Sequence, residues 1–281
     1  MPRIDTAGFS PLPELRSPTF EVSRRFDTPV VHRGAASHWR GVRHWSFGWL
    51  ADHVPDVPIT LVSGNREAEA TRFEASSLRR YLHALERPSR RPPGYLKEFD
   101  LLAAQPELAI DLPHETLIPP SHRRSIFCWI GPADTSTGLH FDRIDNVAVQ
   151  VLGRKRWRFV RPGVVERCGA VSAKYDTWAV LASRSAVDLV REGTPSDFFW
   201  VDLEPGDVLT IPRGWWHEVT NLEPTLFVGG FHGPVLPVIA RGTWLGLRHQ
   251  FHRLGWLGRG NCACHPTGDA PMNIANKEKR P

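Results

Sequence analysis

Thr137-Gly138-Leu139-His140-Phe141-Asp142 decides the reading of this chain, together with a later stretch, Gly206-Asp207-Val208-Leu209-Thr210-Ile211-Pro212-Arg213-Gly214-Trp215-Trp216-His217. In the first, His140 and Asp142 stand at i and i+2. An extended backbone then puts both side chains on one face of a sheet, where one metal can reach both. The second reads as a turn, an apolar strand, a Pro/Gly corner and two tryptophans, so that His217 projects from a rigid sheet edge into an aromatic-walled space. Two histidines and one carboxylate make a facial triad, which leaves positions open on Fe(II) for a co-substrate and for oxygen. That pattern points to an oxygenase. In a chain with 13 histidines an HxD tripeptide alone is weak, and a surface pair in a turn is its plain alternative. The distal segment is what lifts the pair above it.

Around these stretches the sequence is built of short apolar runs separated by Gly and Pro. Residues 125–130, 146–151, 157–160, 207–211 and 225–231 read as strands, several with the alternation of a half-buried sheet. Many short strands in one domain of this length indicate a β-sandwich or barrel. Upstream, 29–34 and 58–63 read as strands and 45–53 as a short helix. Leu78, Tyr81, Leu82 and Leu85 recur at helical spacing, and the prolines of 88–94 end that helix in a loop. The N-terminal third is therefore mixed α/β. Beyond Pro237, Trp244, Leu245, Leu247, Phe251, Leu254 and Leu257 predict a C-terminal helix, or a helix pair interrupted by glycines. No internal repeat is present. The expected organisation is an irregular arm over 1–20, one catalytic domain over 21–236, a helical segment over 237–260 and a flexible tail over 261–281.

Composition narrows the setting. No run approaches the length of a membrane span, and the first residues lack the apolar segment of a secretory signal, so a soluble, unexported protein is expected. Cys128, Cys168, Cys262 and Cys264 are too few and too irregular for a secreted disulfide framework, and a reducing cytoplasm fits them. The net charge of +5 and pI near 9.3 permit an acidic partner, but no basic block or track of interleaved aromatics argues for nucleic acid. Only five of the 35 basic residues are lysines, Lys97, Lys155, Lys174, Lys277 and Lys279. Lys155, inside the suspected core, is the notable one. Cys262-Ala263-Cys264-His265 offers three soft ligands without a fourth, and reads more readily as a loose end or a partner contact than as a metal cluster.

The ordered set Thr137 to Asp142, Asn146, Gln150, Gly153-Arg154-Lys155-Arg156-Trp157 and Gly206 to His217 resembles the JmjC or cupin-like group of Fe(II)/2-oxoglutarate-dependent oxygenases. Phe26 to Gly34 with Trp39, and Gly94-Tyr95-Leu96 leading to Pro106-Glu107-Leu108, resemble the N-terminal region of its small hydroxylase branch, which contains the hypoxia-inducible-factor asparaginyl hydroxylase. The resemblance runs from about residue 20 to 235. It implies a mainly β fold, a double-stranded β-helix or jelly roll with an α/β N-terminal elaboration and C-terminal helices. It also implies Fe(II) on His140, Asp142 and His217, with 2-oxoglutarate as co-substrate beside O2. Lys155, on the strand following the metal strand, would hold the distal carboxylate of 2-oxoglutarate with the Thr137 hydroxyl. Asn146 would lie near co-substrate and iron, and Tyr95 would supply a phenolic hydrogen bond.

Each of these has a structural alternative: a solvated strand lysine for Lys155, turn and strand-start roles for Thr137 and Asn146, and core packing for Trp215 and Trp216, to which no catalytic role is given. The expected activity is hydroxylation of an unactivated C–H, first on a protein or peptide side chain. The alternatives are a small molecule or RNA base, and a non-catalytic cupin-like binding protein. A metal-dependent cupin isomerase is disfavoured, because such sites use more histidines. The resemblance also allows a homodimer through the C-terminal helices, while packing of that segment on its own barrel is an equal reading.

Overall fold

A computed structural model describes residues 6–16, 26–63, 72–87, 92–258 and Cys262. Most of the expected tail, including Cys264 and His265, parts of the N-terminal arm and the first residues of the proline-rich loop lie outside the described residues. In chain order the N-terminal third gives β1 (Ser10–Pro11), β2 (Glu14–Leu15), β3 (Val30–His32), α1 (Arg40–His44), α2 (Phe47–His53), β4 (Pro58–Ser63), β5 (Arg72–Ser77), α3 (Leu78–Leu85), β6 (Leu96–Phe99) and α4 (Leu101–Ala104). Then follow β7 (His122–Gly131), β8 (Ser136–Asp142), β9 (Asp145–Leu152), β10 (Lys155–Val160), α5 (Val164–Arg167), β11 (Ala179–Leu181), α6 (Ala186–Leu189), β12 (Phe198–Leu203), β13 (Val208–Ile211), β14 (Trp216–Asn221), β15 (Thr225–Pro234) and α7 (Val235–Arg253).

Two large sheets carry the fold, in the jelly-roll arrangement the sequence led us to expect. One runs β1-β12-β10-β14-β8-β11 and the other β2-β3-β13-β9-β15-β7-β6. Between them lies a core of Ala148, Trp157, Phe159, Leu209, Val219 and Phe227. The second sheet is buried on both faces. Val147, Val149 and Val151 of β9 point the other way, into a cluster with Leu50, Leu78, Tyr81 and Leu82 of α2 and α3. The alternation in β9 thus separates two apolar layers, and the α/β elaboration is what covers the outer one. On the first sheet, Leu139, Val160 and Trp216 turn outward against Val164, Val165 and Leu189 of α5 and α6.

Local signals set most boundaries. The short N-terminal helix begins at Phe47 rather than Trp45, because Ser46 caps it: its Oγ accepts from the Trp49 N–H at 3.0 Å. Phe198–Leu203 forms β12, beside β10 and buried at Phe198, Val201 and Leu203, although its apolar run shows no clean alternation. The C-terminal segment is one helix of 19 residues that runs through Gly242 and Gly246, with Leu245 between them fully buried. No helix among the described residues is long and apolar enough to cross a membrane.

Candidate active site

The strand pairings bring the triad together. In the β8–β14 ladder His140 lies directly opposite His217, and a bulge follows between His217 and Val219. On the other side of β8, Leu181 faces His140 and Ala179 faces Asp142. One ligand atom from each of His140, Asp142 and His217 lies within 4.8 Å of the others, with His217 Nε2 3.6 Å from Asp142 Oδ2. His140 Nδ1 is 2.7 Å from the Gly138 carbonyl oxygen, and His217 Nδ1 is 3.0 Å from that of Trp215. A carbonyl can only accept, so each Nδ1 carries the proton and each Nε2 keeps its lone pair for a metal. Backbone geometry has therefore fixed both tautomers.

Burial biases the same groups toward metal binding. Asp142 is pushed up to about 6, by burial first, with Glu98 and Asp176 adding to the rise and His140 opposing it. His217 is held well below its usual value by burial and by His140. A buried carboxylate that resists ionisation and a histidine that resists protonation both gain when a divalent cation arrives. The donor set of two neutral imidazoles and one carboxylate suits Fe(II).

The triad opens on a cavity of about 140 Å³, space for on the order of ten waters. Thr137, Asn146 and Tyr95 line it with the three ligands. Lys155 does not. It is fully buried just behind the wall, its Nζ donating to Tyr95 Oη at 2.7 Å and standing 3.7 Å over the Phe227 ring. It opens β10, the second strand after β8 rather than the next one, and it reaches the interior because β10 and β8 both flank β14. Burial, and then the charge of Lys97, hold the Lys155 ammonium well below its ordinary range. No described carboxylate pairs with it, and a buried cation in that state is costly unless an anion comes to it. This is what the distal carboxylate of a 2-oxo diacid would provide.

Tyr95 owes its place to two other contacts. The Tyr81 hydroxyl is 3.0 Å from the Gly94 oxygen and 2.6 Å from that of Ile130, tying the entry of β6 to β7. Gly131 then leaves room for the Tyr95 ring, since a Cβ there would stand 2.5 Å from its Cδ2. Several lining residues escaped the sequence reading. Lys97 and Trp157 lie two residues beyond Tyr95 and Lys155, the spacing that shares a strand face, and both border the cavity. The Trp157 Nε1–H and the Asn146 Oδ1 are buried without a partner, a donor and an acceptor both belonging to cavity residues. Glu98, Asp176 and Arg143 also line it, Glu98 at a left-handed φ of 55° where β6 bulges. Trp215 and Trp216 are buried in packing, as anticipated.

Comparison with known proteins agrees with this geometry. Residues 22–234 match the cupin-like domain family. The chain is 27% identical to lysine-specific demethylase JMJ21 of Arabidopsis thaliana over 237 residues, 74% of this chain and 24% of that protein. It is 26% identical to lysine-specific demethylase 8 of Xenopus tropicalis, across 75% of this chain and 50% of that one. With Jumonji C domain-containing protein 5 of Drosophila melanogaster it shares 25% identity, over 81% and 58% of the two chains. The chain thus spans between about a quarter and three-fifths of the length of these curated relatives. With most of its length matched and the two-sheet core in place, the chain belongs to the cupin-like domain family.

Proposed function

We propose that this chain is an Fe(II)- and 2-oxoglutarate-dependent oxygenase that hydroxylates an unactivated C–H, on a polypeptide side chain. The observation that carries the reading is the convergence of His140, Asp142 and His217, their ligand atoms within 4.8 Å of one another, with both imidazole Nδ1 atoms already engaged by carbonyls. The relatives named as lysine-specific demethylases support the polypeptide substrate, because removing an N-methyl group oxidatively also begins by hydroxylating a C–H bond.

The roles follow from position. His140, Asp142 and His217 would hold iron on one face, leaving the cavity side open. Lys155, with the Tyr95 hydroxyl it contacts at 2.7 Å, would receive the distal carboxylate of 2-oxoglutarate, and Thr137 would share it. Asn146 would orient the end nearer the metal. Bound there, iron supplies the oxidising chemistry, and the protein fixes geometry and excludes water. The overall reaction balances as substrate C–H plus O2 plus 2-oxoglutarate giving C–OH, succinate and carbon dioxide. Residues 21–236 would form the catalytic domain. The exposed Leu236, Trp244, Leu247 and Phe251 of α7 would serve self-association, which light scattering on the full chain can measure. A cytoplasmic setting suits the free thiols of Cys128 and Cys168.

The test is mass spectrometry of a cell lysate incubated with the protein, iron and 2-oxoglutarate. A polypeptide one oxygen atom heavier supports the reading, and an oxygenated metabolite with no modified polypeptide replaces its substrate.

A further inference from the structure

Arg143 follows Asp142 directly and lines the same cavity. Its backbone N–H donates to the Trp178 oxygen at 3.2 Å, which pins it to the strand edge. Its own carbonyl accepts from Nη1 of Arg241 on α7. One helical stretch further along, Arg248 lies over the rings of Trp244 and Tyr175, 4.9 and 5.6 Å from their centroids. Arg143 thus lines the cavity with Arg241 seated on its backbone, and Arg248 stands on the same helix against Tyr175.

Elsewhere this chain pairs its half-buried arginines. Arg33 meets Asp207 at 2.6 Å, Arg156 meets Asp202 at 2.6 Å and Arg158 meets Glu218 at 3.2 Å. Arg143, Arg241 and Arg248 form no salt bridge with any described carboxylate, and the Nε atoms of Arg143 and Arg248 are buried without a partner. Asp176 shares the cavity wall, its Oδ1 accepting from the N–H groups of Trp178 and Ala179 at 2.8 and 3.0 Å. Of the other charged residues at the wall, Lys97 adjoins Glu98 in sequence, Arg124 is paired with Glu115 at 2.5 Å, and Asp142 belongs to the metal triad. Arg241 is not a lining residue, but it adds a positive charge at the Arg143 backbone. Like charges packed together raise the energy of the free protein, and an anion entering from solvent lowers it, best through the bidentate geometry that guanidinium offers a carboxylate. A methylated or free lysine side chain carries the wrong sign.

We propose that Arg143, backed by Arg241 and Arg248, receives a carboxylate of the substrate, so that this site takes an acidic polypeptide segment rather than a cationic side chain. The proposal rests on the oxygenase reading for the position of the reacting carbon, but its binding step needs no metal.

The experiment uses the full chain with no metal added and fluorescein-labelled ten-residue peptides, one rich in Asp and Glu and one rich in Lys, read by fluorescence anisotropy at physiological ionic strength. The acidic peptide should bind at least tenfold more tightly, and R241Q and R248Q should each weaken it by about threefold to tenfold, the loss of one supporting positive charge. R253Q removes the same charge from an exposed position on the same helix and should leave binding unchanged. Equal or tighter binding of the basic peptide overturns the proposal. So does an equal loss in R253Q, which would mark attraction to a basic protein at large, or unchanged binding in both R241Q and R248Q. Displacement of the acidic peptide by free glutamate at an equal concentration would overturn the polypeptide half and leave a small acid as ligand. Adding iron and 2-oxoglutarate then separates the two readings: an acidic peptide that binds but stimulates no succinate release leaves the anion site standing and removes the oxygenase.

Discussion

The Nζ of Lys155 lies 2.7 Å from the hydroxyl of Tyr95, a residue sixty positions earlier in the chain, in a place where neither side chain reaches solvent. The phenol is held neutral by burial, so it cannot discharge the cation. What this pair lacks is a negative charge. Replacing Lys155 by Met should remove 2-oxoglutarate binding while raising stability, by about 1–4 kcal/mol, since an apolar side chain of similar length costs less to bury than an unpaired ammonium. Tyr95→Phe should weaken 2-oxoglutarate by roughly fivefold to thirtyfold and cost about 1–3 kcal/mol of stability, because it strips the buried Lys155 Nζ of its acceptor. Calorimetric titration and urea unfolding measure the two effects. A K155M protein that is less stable and still binds the diacid would contradict this account of the pair.

The same burial gives a proton linkage. In the free protein the Lys155 value is depressed, and a carboxylate beside it would raise it. Between the two values binding takes up a proton, so affinity for 2-oxoglutarate should increase as pH falls through that window and level off below it. Stability of the free protein should run the other way, rising with pH between the depressed folded value and the ordinary unfolded one, where the unfolded chain holds the extra proton. Titration of wild type in buffers of contrasting ionisation enthalpy will show net proton uptake on binding within that window. Binding with no uptake at any pH would assign the charge that meets the diacid to another group.

Metal affinity has its own pH dependence. Asp142 must be ionised to bind, and it is pushed up to about 6. Below that value a proton competes, and affinity should fall by about tenfold per pH unit, with the depressed His217 adding to the fall only at lower pH. Cobalt(II) titrations followed by absorbance from neutral pH downward provide the curve, and a flat response to pH 5 (roughly a unit below the Asp142 value) would remove Asp142 from the ligand set.

Gly131 gives a steric test of how Tyr95 is seated. An added methyl would stand 2.5 Å from Tyr95 Cδ2 and 2.9 Å from Asn221 Nδ2, closer than such atoms pack. Gly131→Ala should cost about 1–3 kcal/mol and weaken 2-oxoglutarate with it, because the ring that moves carries the hydroxyl bound to Lys155. An unchanged melting temperature would mean the wall is softer than its packing suggests.

How far the sequence reached depended on the range of each signal. His140 and Asp142 could be read because the two-residue strand period is local, and the approach to His217 because a turn, a strand and a Pro/Gly corner are consecutive. The short apolar runs indicated a β-sandwich or barrel, and the family resemblance narrowed that to a jelly roll. Lys155 stood out as a rare lysine in the core and took its role from the family resemblance, but its strand was misplaced by one, since β9 crosses to the other sheet before β10 returns beside β14. Lys97 and Trp157 were open to the same two-residue rule and went unused. The arginine corner could not be read at all. It exists because a helix a hundred residues later packs Arg241 against the carbonyl of Arg143, and no local pattern encodes that contact. In the C-terminal segment the glycines left one helix or an interrupted pair open, and the chain forms one helix.

The central claim is that His140, Asp142 and His217 form an iron site that turns over 2-oxoglutarate. Its most direct test is succinate released from 2-oxoglutarate under air, with iron, by the wild-type chain and by His217→Ala at matched folded concentration. The account predicts release by wild type and none above background from the variant. Equal release by both proteins, or none by an iron-loaded wild type with substrate-rich lysate present, would contradict it.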